Sequence, residues 1–434
     1  MGEQVPGDER ERRRLRELVT LRGYWRLALA YGLNEMCWFV GTIALAVLVY
    51  HRTRSVLGTT GFFLCSQLAP ALLGPPFVAR FDRRSPRVTL PVLYWSEALL
   101  YALLAWLTTR FRLAPMLVIV VVDGVLALGA RSLSVAARTE LLKPAGLVRE
   151  GGAVASMSFS AAYLVGPLLG GLVTAIGGAG AALLLNCAVF IVMGLALLSR
   201  SIPARTVHEG PARGRLRAAI RHIRHDRPVA AMLSMQTLVL ICFSIPTPLE
   251  VVYTVHTLHA GSTGYGVLMA VWGGAALVGS LAYARLRHAS SRLLIAVAIV
   301  LGAAGFAVMA VAPTFPVALV GAVLAGLSNG LASVLFGVEL QVLVPQSWMA
   351  LAMSLNQSLM LIAPGVGYLA GGVVAALVSV RFAFGVSAVS SVAFAAIGLA
   401  ALAAAEAARG PTTGAKGPAS DTEDDAEIRS GTPA

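Results

Sequence analysis

Five residues set in long apolar stretches have side chains that can bind a proton or a charged solute. Glu35 and Asp123 each lie about ten residues into an apolar run, or about 15 Å along a helix. That depth is the middle of a hydrocarbon core about 30 Å thick. A charge there costs at least about 2.5 kcal/mol on insertion scales, so such residues point to function. Low dielectric disfavours the ionised form of a carboxyl, which makes both acids candidates for reversible proton binding. Arg131 lies eight residues after Asp123, about two turns along one face, where it can pair with Glu97 or modulate Asp123. Asn34 adds a polar contact, and Trp38, one turn from Glu35, offers a ring face to a cation. Glu35, Asp123, Arg131, Asn34 and Trp38 therefore form the candidate proton- and substrate-binding set. Glu97 reads as a structural ion-pair partner. Glu250 and Glu339, near predicted helix ends, read as solvated.

Such groups need membrane helices to carry them. Of 434 residues, 57% are apolar and 13% charged, against about 45–50% and about 25% in soluble domains. Runs long enough to span a bilayer occur at 25–50, 58–79, 88–109, 113–137, 151–174 and 178–199. They resume at 229–255, 263–285, 291–312, 315–343, 348–379 and 381–405. Continuous apolar runs favour helices over a barrel, whose strands alternate. The predicted organisation is a tail (1–24), a six-helix bundle (25–199), a basic linker (200–228), a second bundle (229–405) and a disordered tail (406–434).

Of the 34 Lys and Arg residues, 29 fall on the side that holds both termini and the linker. The basic side stays in the cytoplasm, so the chain is expected in the cell (inner) membrane with both termini cytoplasmic. The net charge of +13 then reads as a topology signal and not as a nucleic-acid footprint, because the basic residues are dispersed over loops. In the linker, Leu216, Ile220 and Ile223 share one helical face, with Arg213, Arg217, Arg221 and Arg224 on the others. Both a surface amphipathic helix and a solvated basic linker fit this pattern. His222 and His225 lie three apart, as do His256 and His259, and neither pair has a visible third ligand. No predicted span holds a histidine, no nucleophile–base set is visible, and no G-x-x-x-x-G-K-[ST] loop is present. An enzyme and an ATP-driven pump are disfavoured, and no cofactor or metal is expected. The four cysteines, Cys37, Cys65, Cys187 and Cys242, fall in apolar runs and read as packing residues.

The two halves repeat. Gly74, Ala79, Arg80 and Phe81 close the second run, as Gly279, Ala284, Arg285 and Leu286 close the eighth. The fifth run holds Gly166-Pro167-Leu168-Leu169-Gly170-Gly171; the eleventh holds Ala363-Pro364-Gly365-Val366-Gly367 and then Gly371-Gly372. A parallel repeat places a substrate site near the midplane between the halves. Small residues let helices approach closely, and Pro167, lacking an N–H, is expected to kink its helix.

This layout resembles the major facilitator superfamily over nearly the whole chain. The run GPPFVARFDRR, 74–84, is similar to the family's loop motif, usually written G-x-x-x-(A)-D-R-x-G-R-R. The match assigns gating to Gly74, Asp82, Arg83 and Arg84; Ala79 stands where the motif has its acid, and Asp82 follows three residues on. GPLLGG is similar to the antiporter signature G-x-x-x-G-P-x-x-G-G, filled here by Gly166, Pro167, Gly170 and Gly171, with Ala162 at the first position. The stretch 138–171 looks like bacterial drug- and siderophore-efflux members. The resemblance implies an all-α membrane protein of twelve transmembrane helices in two pseudo-symmetric six-helix bundles, with helices 1 and 4 lining a central cavity. It implies a monomeric, proton-coupled exporter of a small amphipathic or cationic molecule, working by alternating access. An uptake symporter or facilitator on the same fold, or a non-transporting membrane sensor, is the alternative.

Overall fold

The structure, a computed structural model, describes residues 21–81, 85–198, 227–286, 289–344 and 348–409. In hydrocarbon no water satisfies backbone N–H and C=O groups, so a spanning segment must bond to itself. The described residues accordingly contain helices and turns and no strand. The first half comprises α1 (Arg22–Thr53), α2 (Val56–Phe63, a π-turn Leu64–Leu68, then Ala69–Phe81), α3 (Pro86–Thr109) and α4 (Leu113–Leu142). The join of α1 to α2 is tight. Arg54 takes a left-handed φ of 51°, and the Ser55 hydroxyl accepts the Gly58 N–H at 3.1 Å to cap α2.

Val148–Ala196 runs 49 residues as one helical stretch, about 73 Å at about 1.5 Å per residue, which is twice what a bilayer core needs. It is two spans. Gly178, at φ 74° and ψ 174°, breaks it into α5 (148–177) and α6 (179–196). Pro167 lies inside α5, and the backbone keeps helical angles through it. Only glycine occupies the Gly178 region at low strain. Gly178→Ala is expected to lower stability by about 1–3 kcal/mol, seen as a lower Tm in detergent. An unchanged Tm would contradict this account of the α5–α6 turn.

The second half comprises α7 (Arg227–Thr257, interrupted by a 3-10 turn Thr247–Leu249 and a π-turn Tyr253–Thr257), α8 (Gly261–Leu286) and α9 (Ser291–Val311). It ends with α10 (Phe315–Leu343), α11 (Met349–Leu377) and α12 (Val380–Arg409). Among the described residues eleven helices are long and apolar enough to cross a membrane, and the break at Gly178 divides one of them into two, which makes twelve crossings. Both described ends therefore lie on one face. Two helices outrun their predicted ends and take histidines into their last turns, His51 in α1 and His256 in α7. The linker 199–226 with its predicted amphipathic segment, the tails 1–20 and 410–434, and Asp82, Arg83 and Arg84 lie outside the described residues.

Glycines set the pseudo-symmetry. A Cβ on Gly166 would lie 2.9 Å from Phe39 Cβ, and one on Gly170 would lie 2.9 Å from Val40 Cα, so α5 rests on α1. One on Gly171 would lie 2.8 Å from the Ser262 carbonyl of α8, in the other half. In the second half, Gly367 and Gly371 meet Ile241 and Ile245 of α7 in the same way, and Gly372 meets Thr60 of α2, again across the halves. The three glycines recur at one constant offset in sequence. Pro167 and Pro364, the more visible landmarks, sit one turn out of that register.

Candidate functional site

A cavity of about 430 Å³ lies between the halves. Its α4 wall is Val120, Asp123, Gly124, Ala127, Leu128 and Arg131, the stripe that a period of about 3.6 residues puts on one face. α1 turns Asn34, Glu35 and Trp38 toward the same space, α3 adds Glu97, and α5, α8 and α11 add Tyr163, Trp272 and Tyr368. All five residues of the predicted binding set thus line one cavity. Of the gating motif only Gly74 is described; it packs against Leu128 of α4.

The ion pairing differs from expectation. Arg131 Nη2 lies 2.5 Å from Glu35 Oε1, the two side chains being 46% and 4% exposed. The partner is therefore across the α1–α4 contact and not on α3. Glu97 instead has Asp123 of α4 as its charged neighbour, and both line the cavity. Both carboxyls have a buried oxygen without a hydrogen-bond partner, Glu97 Oε1 and Asp123 Oδ1. Glu250 is not solvated either: its Oε2 is buried and unpartnered in the interrupted part of α7. Glu339 is half-buried and accepts the Ser291 hydroxyl.

Sequence reasoning missed Arg138. Its span was predicted to stop at residue 137, whereas α4 continues to Leu142. Arg138 is buried, lies 4.2 Å from the Tyr31 ring centroid, and donates from Nε to the Ser134 carbonyl at 3.4 Å. Its spacing of seven from Arg131, two turns along the same helix, was the available signal.

Aromatic rings join the halves. Trp38–Phe39 (4.8 Å between centroids), Phe39–Tyr163 (4.6 Å) and Tyr163–Trp272 (5.4 Å) form a ladder from α1 through α5 to α8. Toward the face opposite the termini, Tyr368 stacks edge-on to Phe63 and donates its hydroxyl to Gln67 Oε1 at 2.8 Å, tying α11 to α2. Nearer that face Tyr50 meets His256, and Gly171 meets Gly266. A Cβ on Gly266 would lie 2.5 Å from the Pro167 carbonyl and 3.0 Å from Gly171 Cα. These contacts bring the two halves together on the face away from the termini. A space of this size, lined by both aromatic rings and ionisable groups, has the make-up of a small-molecule site.

The model of the Major Facilitator Superfamily matches residues 27–363. No curated protein sequence matches the chain. Among solved structures, a variant of the nucleoside transporter NupG is similar at TM-score 0.70 and 14% identity, over 87% of this chain and 99% of that one. A bacterial homologue of the iron transporter ferroportin, inward-facing, is similar at 0.66 and 16%, over 89% and 99%. A bacterial homologue of the human lysosomal transporter Spinster, also inward-facing, is similar at 0.64 and 15%, over 89% and 97%. At these identities the likeness is one of fold, and fold alone leaves the solute open. The family match over most of the chain, the twelve crossings and the cavity between two repeated halves lead to one assignment: the chain belongs to the Major Facilitator Superfamily and is a multi-pass membrane transporter.

Proposed function

We propose that this transporter is a proton-coupled exporter of a small amphipathic or cationic molecule, akin to bacterial drug- and siderophore-efflux members of its family. It acts as a monomer in the cell membrane, with both termini in the cytoplasm. The observation that carries the reading is the cavity between the halves, which Glu35, Asp123 and Arg131 line together with the Trp38, Tyr163 and Trp272 rings. The distribution of Lys and Arg puts the termini-bearing face inside, so the face where the halves meet is outside. In this state substrate enters from the cytoplasm, with Asn34 and Trp38 among its contacts. Rocking of the halves about the α5–α8 and α2–α11 seams then opens the site outward. A proton taken up at a cavity carboxyl from outside displaces the solute and is given up inside. The seam role of Gly166, Pro167, Gly170 and Gly171 fits their resemblance to the antiporter signature. Gly74 of α2 and the Asp82, Arg83 and Arg84 that follow it in sequence serve as the gate, in keeping with their resemblance to the family's loop motif.

The test is accumulation of lipophilic cationic dyes in efflux-deficient bacteria that express the chain, with and without a protonophore. Expression is expected to lower dye accumulation, and the protonophore to abolish that difference. An accumulation that rises on expression would favour an uptake symporter or facilitator. Ligand binding without flux of any solute would favour a sensor.

A further inference from the structure

Glu97 is a buried ionisable group for which this exchange has so far no use. Its residue is 1% exposed, it lines the cavity, and its Oε1 has no hydrogen-bond partner. On α4 its charged neighbour is Asp123, which is half-buried and likewise has an oxygen, Oδ1, without a hydrogen-bond partner. Its titratable neighbours are Cys37 of α1 and, about one turn away on its own helix, Tyr94 and Tyr101. From α6, Asn186 donates to the Cys37 carbonyl at 2.7 Å, and Phe190 stacks on Tyr94 and Tyr101. Among the described residues, the cavity's guanidinium, Arg131, is held by Glu35. Arg138 lies two turns further along α4, over Tyr31.

The three cavity acids are therefore unequal. Glu35 has its charge matched at 2.5 Å. Glu97, buried on α3, and Asp123, half-buried on α4, line the cavity as charged neighbours, each with an unpartnered oxygen and neither with a cation among the described residues. Two like charges so placed do not both ionise at ordinary cost, and they titrate as a pair and not as separate groups. We propose that Glu97 and Asp123 are one carboxyl pair that carries the exchanged proton, and that Glu35, held by Arg131, carries none. This rests on the proton-coupled reading above and names its site. The step makes and breaks one O–H bond: the pair takes a proton from water on one face and returns it to water on the other. The solute's polar or cationic group contends with that proton for the same oxygens.

The full chain holds seven aspartates, Asp8, Asp82, Asp123, Asp226, Asp421, Asp424 and Asp425. Carbon-13 labelling of aspartate in the purified full-length chain therefore narrows the labelled carboxyl bands in infrared spectra to those seven. The protein is titrated over pH in lipid nanodiscs without substrate, and Asp123→Asn identifies the band. In Glu97→Gln the midpoint of the Asp123 band is expected to fall by about one pH unit or more, tenfold in proton affinity. Glu97→Asp, which keeps a carboxyl at the site, is expected to hold the wild-type midpoint, and so is Glu35→Gln. An unmoved midpoint in Glu97→Gln overturns the pair, as does an equal fall in Glu35→Gln. An equal fall in Glu97→Asp marks a packing effect and overturns it too. The two readings fail separately: absence of dye export with the infrared shift intact removes the exporter and keeps the pair, whereas gradient-driven export without the shift does the reverse.

Discussion

Gly266→Leu is expected to cut dye export at least about tenfold while the protein still folds and inserts. At this residue α5 and α8 touch backbone to backbone. A Cβ alone would stand 2.5 Å from the Pro167 carbonyl oxygen, well inside any van der Waals contact. That atom belongs to rigid backbone and cannot rotate away, so the helices must separate. Overpacking of a tight site costs typically about 1–3 kcal/mol. Here the cost falls on one state, the one in which the halves meet on the face opposite the termini. A penalty of about 3 kcal/mol lowers the population of that state about 100-fold, at about 1.4 kcal/mol per factor of ten. Alternation requires both states, so export falls with it. Gly385→Ala is the control, because a Cβ there meets nothing within 4 Å; it is expected to export normally. Wild-type export by Gly266→Leu would show that α5 and α8 need not close.

Arg131→Met is expected to destabilise the protein, and a second substitution, Glu35→Gln, to restore it. Removing the guanidinium leaves Glu35 with 4% exposure and no counter-charge. Losing one partner of a fully buried pair costs about 3–5 kcal/mol. Arg131 is 46% exposed to the cavity, where water screens the pair, so a loss of about 1–3 kcal/mol is the better figure. Thermal unfolding in detergent reads it as a lower Tm. The double variant has neither charge and is expected to recover most of the difference. If Arg131→Met and the double variant unfold alike, the ion pair contributes nothing and Arg131 serves only the solute.

The fold was legible because lipid leaves few choices: each apolar run of membrane length becomes a helix. Even the α5–α6 break, at Gly178, falls on the first residue of the predicted run 178–199, next to the gap 175–177. The stripe on α4 that holds Asp123 and Arg131 was readable for a similar reason, since helical period fixes which residues share a face. Period says nothing of which neighbour that face meets. Hence Arg131 was paired with Glu97 by depth, although the α1–α4 contact delivers Glu35. Hence too Glu250 was read as solvated, although the turns that interrupt α7 leave its Oε2 buried. Hydropathy also places helix ends poorly, because a helix continues past its apolar stretch wherever tertiary contacts cover it. Arg138, His51 and His256 were lost to the spans in this way. Prolines misled the alignment of the halves by one turn, since they catch the eye in sequence while the glycines make the contacts.

Alternate exposure of the cavity is best measured at Leu361, which lines it and is 43% exposed. The protein carries Leu361→Cys as its only cysteine, with Cys37, Cys65, Cys187 and Cys242 replaced, in vesicles of known orientation. A membrane-impermeant thiol reagent is applied to one face at a time, under imposed proton gradients of either sign. Rocking of the halves predicts labelling from both faces, with the balance between them shifted by the gradient. Labelling from one face alone, whatever the gradient, would contradict alternating access.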